Sequence, residues 1–235
     1  MLRCRQNTNA IPAIFWLFLY TLQDPSLLTR VLRSIDTSQA SVNPGLDMNG
    51  IYENPLLLSM YAETLRLRVG ILVTRNPEFE DFQLGQWKYP QGEMIGLFSR
   101  TAALDKEAWT TGNPEGSHPL EEFWAERFLV YPNDPTSGPA CKTPLSKKQQ
   151  TTSETIGPLL EPKITLEGLS GAWIPYGGGR RMCPGRHFAK QEIIGTFVLM
   201  CTTYDIEVLS WNKSSWPISN PHTLQTTFSR LDKTN

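Results

Sequence analysis

Residues 175–186 read Pro-Tyr-Gly-Gly-Gly-Arg-Arg-Met-Cys-Pro-Gly-Arg, the stretch of this sequence with the most chemistry in it. Three successive glycines let a backbone turn tightly and approach a ligand closely. Cys183 then sits just before an expected helix, with Arg180 and Arg181 ahead of it and Arg186 behind. Positive charge and a helix N-terminus both stabilise negative charge on sulfur. Thiolate sulfur suits a soft metal centre, and a single thiolate with no partner cysteine is what a haem iron accepts. Backbone N–H groups of such a turn can hydrogen-bond the sulfur and tune its electron donation. An arginine two residues before the cysteine can reach a haem propionate as a charge-assisted pair. The competing reading is a phosphate-binding glycine loop with an incidental cysteine. The stretch lacks both the G-K-[ST] ending of a P-loop and the G-x-G-x-x-G spacing of a dinucleotide fold.

The elements that must position this loop come from periodicity. Residues 7–23 and 25–35 are expected as two successive helices, the second opened by Asp24-Pro25 as N-cap and first helical position. Its stripe is Leu27, Leu28, Val31, Leu32 and Ile35. Asn54-Pro55 opens a helix to about residue 68, with Leu57, Tyr61 and Leu65 on one face. Val69 to Val73 alternates as a strand, with a return strand from Met94 to Phe98 after the Tyr89-Pro90-Gln91-Gly92 turn. A short helix is expected over Asp105–Thr110. Residues 132–162 are rich in Pro, Ser, Thr, Lys and Gln and read as an exposed, mobile insert. A helix is expected over 186–202, apolar at Phe188, Ile193, Ile194, Phe197, Val198 and Cys201. A strand at Tyr204, Ile206 and Val208 follows.

Composition narrows the function classes. The net charge of -1 offers no basic excess for nucleic acid. The four cysteines form no C-x-x-C pair, so neither a zinc ribbon nor a redox dithiol is indicated. The best apolar run, Ala10 to Tyr20, falls short of the roughly 20 residues a membrane span needs. Met1 to Arg5 followed by Ile11 to Leu22 has the charge order of a secretory signal, but no small-residue cleavage site closes the run. A buried helix is favoured; a secreted binding protein ranks last, since it leaves residues 175–186 unexplained.

Residues 176–185 resemble the haem-binding loop of the cytochrome P450 superfamily, aromatic-x-x-Gly-x-Arg-x-Cys-x-Gly. Tyr176 stands for the usual Phe, and Gly179, Arg181, Cys183 and Gly185 match. Glu63-Thr64-Leu65-Arg66 is similar to the family's Glu-x-x-Arg helix. Phe123 to Phe128 resembles its Pro-Glu-Arg-Phe segment, with Ala125 in place of Pro. Asn9 to Trp16 resembles the oxygen-side central helix of the sterol 7α-hydroxylase and prostacyclin synthase branch. There Thr8 and Asn9 stand where most relatives have an acid and an alcohol, so the ordinary proton relay is in doubt. The competing role for both is helix capping.

The resemblance implies a mainly α fold with small β-sheets: the C-terminal, haem-binding half of the P450 fold, truncated at its N-terminus. It covers about residue 7 to the end, while Met1–Gln6 fits the central helix poorly. The family's membrane anchor and half of the pocket walls have no counterpart. The implied activity is that of a haem-thiolate monooxygenase, inserting one oxygen atom from dioxygen into a lipophilic substrate, sterol or other lipid. The alternative is a truncated, non-catalytic fragment or an incomplete gene model. Cys183 would be the axial ligand of haem b, with Arg181 and Arg75 on its propionates. Glu63, Arg66 and Arg127 would form a buried structural triad. Electrons would come from an NADPH-linked reductase meeting a basic face near Arg180 and Arg186. Full-length relatives sit on the cytosolic face of the endoplasmic reticulum membrane.

Overall fold

The computed structural model describes residues 7–38, 47–141, 161–210 and 225–230. Met1–Gln6 and the central part of the expected insert, 142–160, lie outside them. The chain divides into two compact units, one of residues 1–61 with 187–235 and one of residues 62–186.

The first unit is helical. Helix α1 (Asn7–Leu22) contains Pro12, which has no N–H to offer the carbonyl of Thr8 one turn back. Helix α2 (Pro25–Ser38) begins where the sequence places it. Asp24 Oδ1 accepts the N–H groups of Ser26 at 2.9 Å and Leu27 at 3.1 Å, two of the donors a helix start leaves unpaired. Leu27, Val31 and Ile35 are buried, so the stripe is the core face. Helix α3 (Met48–Glu53) leads into α4 (Pro55–Arg68), capped by Asn54. The Asn54 Oδ1 accepts from Leu57 N, while its Nδ2 donates to the carbonyl of Ser34 at 3.2 Å, tying α4 to α2. In α6 (Arg186–Thr203), Ile193, Ile194, Phe197 and Val198 are buried, and Phe197 meets Phe18 of α1 with ring centroids 4.8 Å apart. Phe188 departs from the expected stripe: it is 60% exposed. Strands β7 (Tyr204–Ser210) and β8 (Gln225–Arg230) pair antiparallel.

The α2 cap supplies a pH prediction. Ser26 and Leu27 hydrogen bonds hold the Asp24 carboxyl below its ordinary value of 3.8. A lowered acid stabilises the fold above 3.8, and that contribution is lost as pH falls through the lower folded value. Asp24→Ala is expected to cost about 1 kcal/mol at pH 7 by urea unfolding, a difference that shrinks at pH 2–3.

The second unit is built from loops and two-stranded ribbons around the end of α4. Strands β1 (Leu72–Arg75) and β4 (Ile95–Phe98) pair antiparallel, with Leu72 opposite Phe98 and Arg75 opposite Ile95. Between them, β2 (Phe82–Leu84) and β3 (Trp87–Tyr89) form a hairpin turned at residues 85–86. Strand β5 (Leu129–Val130) pairs with β6 (Lys163–Ile164). Trp109, Leu120, Phe128 and Leu169 make the core, with Trp109 and Trp173 each edge-on to Phe128.

Three expectations are corrected. The first strand begins at Leu72 rather than Val69, because Val69 N still donates to Leu65 O as the end of α4. The helix lies at α5 (Ser99–Ala103), not 105–110. Asp105 O accepts from both Ala108 N and Trp109 N, but Thr110 N donates to Pro139 O and Cys141 N to Ala108 O. That pairing of Trp109 with Ala140 draws the chain out after one turn. The same pairing orders the start of the expected insert. Residues 132–141 are hydrogen-bonded turns, with buried Ser137 accepting from Tyr131 N and donating to Asp134 O.

Candidate functional site

Cys183 is exposed on the loop between Ala172 and α6. The loop closes on itself: Gly177 N donates to Ile174 O, Met182 N to Gly179 O, and Cys183 N to Tyr176 O at 3.0 Å. Gly177 and Gly179 hold φ of +78° and +69°, conformations that side chains other than glycine rarely adopt. A Cβ placed on Gly178 or Gly179 would meet no atom within 4 Å, so bare backbone faces open space there. A Cβ on Gly185 would sit 3.8 Å from the Cys183 sulfur, an ordinary contact. Arg180 and Arg181 form a 3-10 turn with exposed side chains, and Arg186 Nη1 donates to the carbonyl of Cys183 at 3.2 Å.

Arg75 reaches this loop from strand β1. Its Nη2 donates to Gly178 O at 3.1 Å and its Nη1 to Thr74 O at 2.7 Å. The structure therefore brings Arg75, Tyr176, Gly179, Arg181, Cys183 and Gly185 into one unit of the molecule. Asn9, in the first turn of α1, is exposed; the side chain of Thr8 lies outside the described residues.

Glu63, Arg66 and Arg127 meet in the core of the same unit, each side chain wholly buried. Glu63 Oε2 accepts from Arg66 Nε at 2.7 Å. Its Oε1 accepts from Arg66 Nη2 at 2.8 Å, Arg127 Nε at 2.9 Å and the backbone N–H of Trp124 at 3.2 Å. One carboxylate cannot neutralise two guanidiniums, and the surplus is spread over carbonyls. Arg66 donates to Ala103 O and Leu120 O, and Arg127 to Thr110 O and Pro119 O. Among the described residues no buried side-chain nitrogen or oxygen lacks a hydrogen-bond partner. The cluster thus staples α4 to the segments around residues 103, 110 and 120, a positional role with no reacting group exposed. Burial pulls the Arg127 guanidinium below its ordinary value while Glu63 opposes the shift.

Sequence reasoning missed His118 and Trp124. Their rings stack 4.1 Å apart at 9°, and the Arg127 guanidinium lies 5.2 Å from the centre of the Trp124 ring. Burial and the Arg127 charge hold His118 below its ordinary 6.5, against the opposing pull of Glu126, Glu122 and Glu63. A lowered histidine stabilises the fold above 6.5, and this is lost as pH falls through the lower folded value. Replacing His118 by Phe keeps a stacking ring without the titration. The urea midpoint of the wild type is expected to fall more than that of His118→Phe between pH 7.5 and pH 5; equal falls would contradict the assignment.

The fit of a prosthetic group rests on the donor set. Among the described residues no three His, Cys, Asp or Glu side chains gather to hold an ion, and a single thiolate is what a haem iron accepts. The backbone at Gly178 and Gly179 is uncovered, as close approach of a flat ligand requires, and Arg180 and Arg181 in the same loop are exposed cations suited to an acidic edge. A mainly helical chain with small ribbons that presents one cysteine on such a loop fits a haem-thiolate protein. The cytochrome P450 family model matches residues 8–227, and the chain belongs to that family. It is 41% identical over 213 residues to the cytochrome P450 monooxygenase efuG of Hormonema carpetanum, covering 87% of this chain and 36% of that protein. Against the cytochrome P450 monooxygenase fsoE of Humicola fuscoatra it is 41% identical over 210 residues, covering 87% and 35%. The cholesterol 7-alpha-monooxygenase of Cricetulus griseus is 26% identical over 216 residues, with 86% and 36% covered. The chain therefore spans about a third of the length of these curated relatives. Among the described residues no helix is long and apolar enough to cross a membrane.

Proposed function

We propose that residues 1–235 are the haem-binding part of a P450 domain that acts as a monooxygenase on a lipophilic substrate. The observation that carries this is Cys183, exposed beside open glycine backbone, on a loop closed by its own N–H to Tyr176 O. Cys183 is the iron ligand, and Tyr176, Gly179 and Gly185 frame it. Arg181 and Arg75 pair with the propionates as charge-assisted donors. Haem bound there supplies dioxygen activation, with thiolate donation favouring O–O cleavage. By the family resemblance Thr8 and Asn9 would serve dioxygen, since a hydroxyl can donate and an amide can hold a water. Glu63, Arg66 and Arg127 hold the core and take no part in proton or electron movement.

The exposed side chains of Arg180 and Arg181, with the half-buried Arg186 close by in sequence, support docking of an acidic, NADPH-linked reductase, by charge complementarity. A sterol or related lipid is the favoured substrate class. Its support is the Asn9–Trp16 resemblance and the likeness to the cholesterol 7-alpha-monooxygenase of Cricetulus griseus. By the family resemblance the parent enzyme would belong on the cytosolic face of the endoplasmic reticulum membrane. The test is haem retention: the full chain, loaded with haemin and passed over a gel-filtration column, should keep about one haem per chain, the ratio set by one axial thiolate. Equal retention by Cys183→Ala would overturn the assignment of the ligand.

A further inference from the structure

We propose that Arg75 is a positioning residue whose guanidinium fastens the carbonyl of Gly178 to strand β1 and so fixes the loop that carries Cys183. The inference deepens the reading of Cys183 as an iron ligand and rests on it for its consequence, though not for its geometry. Residues 177–179 carry no side chains, and two of them hold positive φ, so nothing of their own packs them in place. Glycine has the most backbone freedom to lose on ordering. The N–H groups of Gly177, Met182 and Cys183 all bond to carbonyls inside the loop, which sets its shape, while Trp173 Nε1 ties its start to Ala62 O at 3.1 Å, four residues short of Gly177.

Arg75 supplies the anchor across 103 residues of sequence. Its fork spans two carbonyls, Thr74 O on its own strand and Gly178 O on the loop. The strand beneath is held in register by β4, where Arg75 faces Ile95. Ile71, just ahead of β1, borders the same junction: a Cβ added at Gly177 would come 4.0 Å from Ile71 Cδ1. A guanidinium carries five N–H donors, so two bonds to carbonyls leave three for an anion at the same time. Holding the loop and pairing with a propionate are therefore compatible, and they predict different things.

Two readouts separate them. The first needs no haem: hydrogen exchange, followed by mass spectrometry on the full chain as wild type, Arg75→Lys and Arg75→Ala. Losing a charged hydrogen bond should speed exchange in peptides covering 175–185 by about tenfold in the alanine variant. Lysine keeps the charge but loses the fork, so it should exchange nearly as fast as alanine. Peptides from 120–130, in the core of the unit that carries Arg75, should be unchanged in all three, which also shows that this unit folds in the variants. Wild-type exchange at 175–185 in both variants would overturn the proposal. The second readout is the ferrous carbon monoxide spectrum of the haem-loaded proteins. The clamp predicts a smaller thiolate-type fraction of the bound haem in Arg75→Ala. A lower haem content with that fraction unchanged would mean that Arg75 only pairs with the propionate, and would overturn it too. A wild type lacking any thiolate band would defeat the ligand assignment itself, while the exchange result would still decide the clamp.

Discussion

Glu63→Ala is expected to lower the stability of the unit formed by residues 62–186 by about 3–5 kcal/mol, the cost of breaking a buried ion pair from one side. The reason lies in what the substitution leaves behind. Two guanidiniums, wholly buried, lose the one carboxylate that both of them touch, and the N–H of Trp124 loses its acceptor as well. Charges stranded in a low-dielectric interior retain their desolvation cost and lose its compensation. Against a total of about 5–15 kcal/mol for an ordinary domain, that loss removes a large part of the margin. Glu63→Gln should fall between the two, because an amide oxygen still accepts hydrogen bonds but carries no charge. Urea denaturation read by Trp fluorescence reports on this directly, since Trp109 and Trp124 lie within about 5 Å of the Arg66 and Arg127 guanidiniums. An alanine variant within 1 kcal/mol of wild type, where ~3–5 is expected, would contradict the reading of the cluster as the staple of this unit.

The second large effect distinguishes three thiols. Cys183→Ala should abolish thiolate-type spectroscopy of the haem-loaded chain and leave the melting temperature of the haem-free chain unchanged, because its side chain is exposed and packs no core. Cys201→Ala should do the reverse. That sulfur is buried in α6, and burial pushes its thiol up to about 12, so it stays protonated at neutral pH. Its loss leaves a small cavity and a modest cost in stability. Cys141 is also exposed, but it follows the Trp109–Ala140 bridge and lacks the glycine loop. Its alanine variant should match wild type in both readouts. Transfer of the spectroscopic effect to Cys141 or Cys201 would break the assignment.

How much could be read in advance follows from the range of the interactions. Helices α2 and α4 were legible because Leu27, Val31 and Ile35, and Leu57, Tyr61 and Leu65, recur at helical spacing and all turn inward. The caps at Asp24 and Asn54 were legible because their partners lie two or three residues away. The β2–β3 hairpin was missed because each strand has three residues, too few for a period. Phe82, Leu84 and Trp87 are also exposed, so no polar alternation marks a face. The false helix at 105–110 began with a real turn, ended by pairing with residue 140, which no local pattern announces. Glu63 and Arg127 are 64 residues apart, and Arg75 and Gly178 are 103 apart. The first pair was approached through a family resemblance; the second, like the His118–Trp124 stack, is a product of folding that spacing does not encode.

The most direct test of the central claim is a carbon monoxide difference spectrum of the full wild-type chain after haem loading and reduction. The account predicts the red-shifted Soret band of a thiolate-ligated ferrous haem, absent from Cys183→Ala. A band of the histidine- or thiol-ligated type in both proteins, or no retained haem in either, would mean that the loop around Cys183 does not deliver a thiolate in this chain.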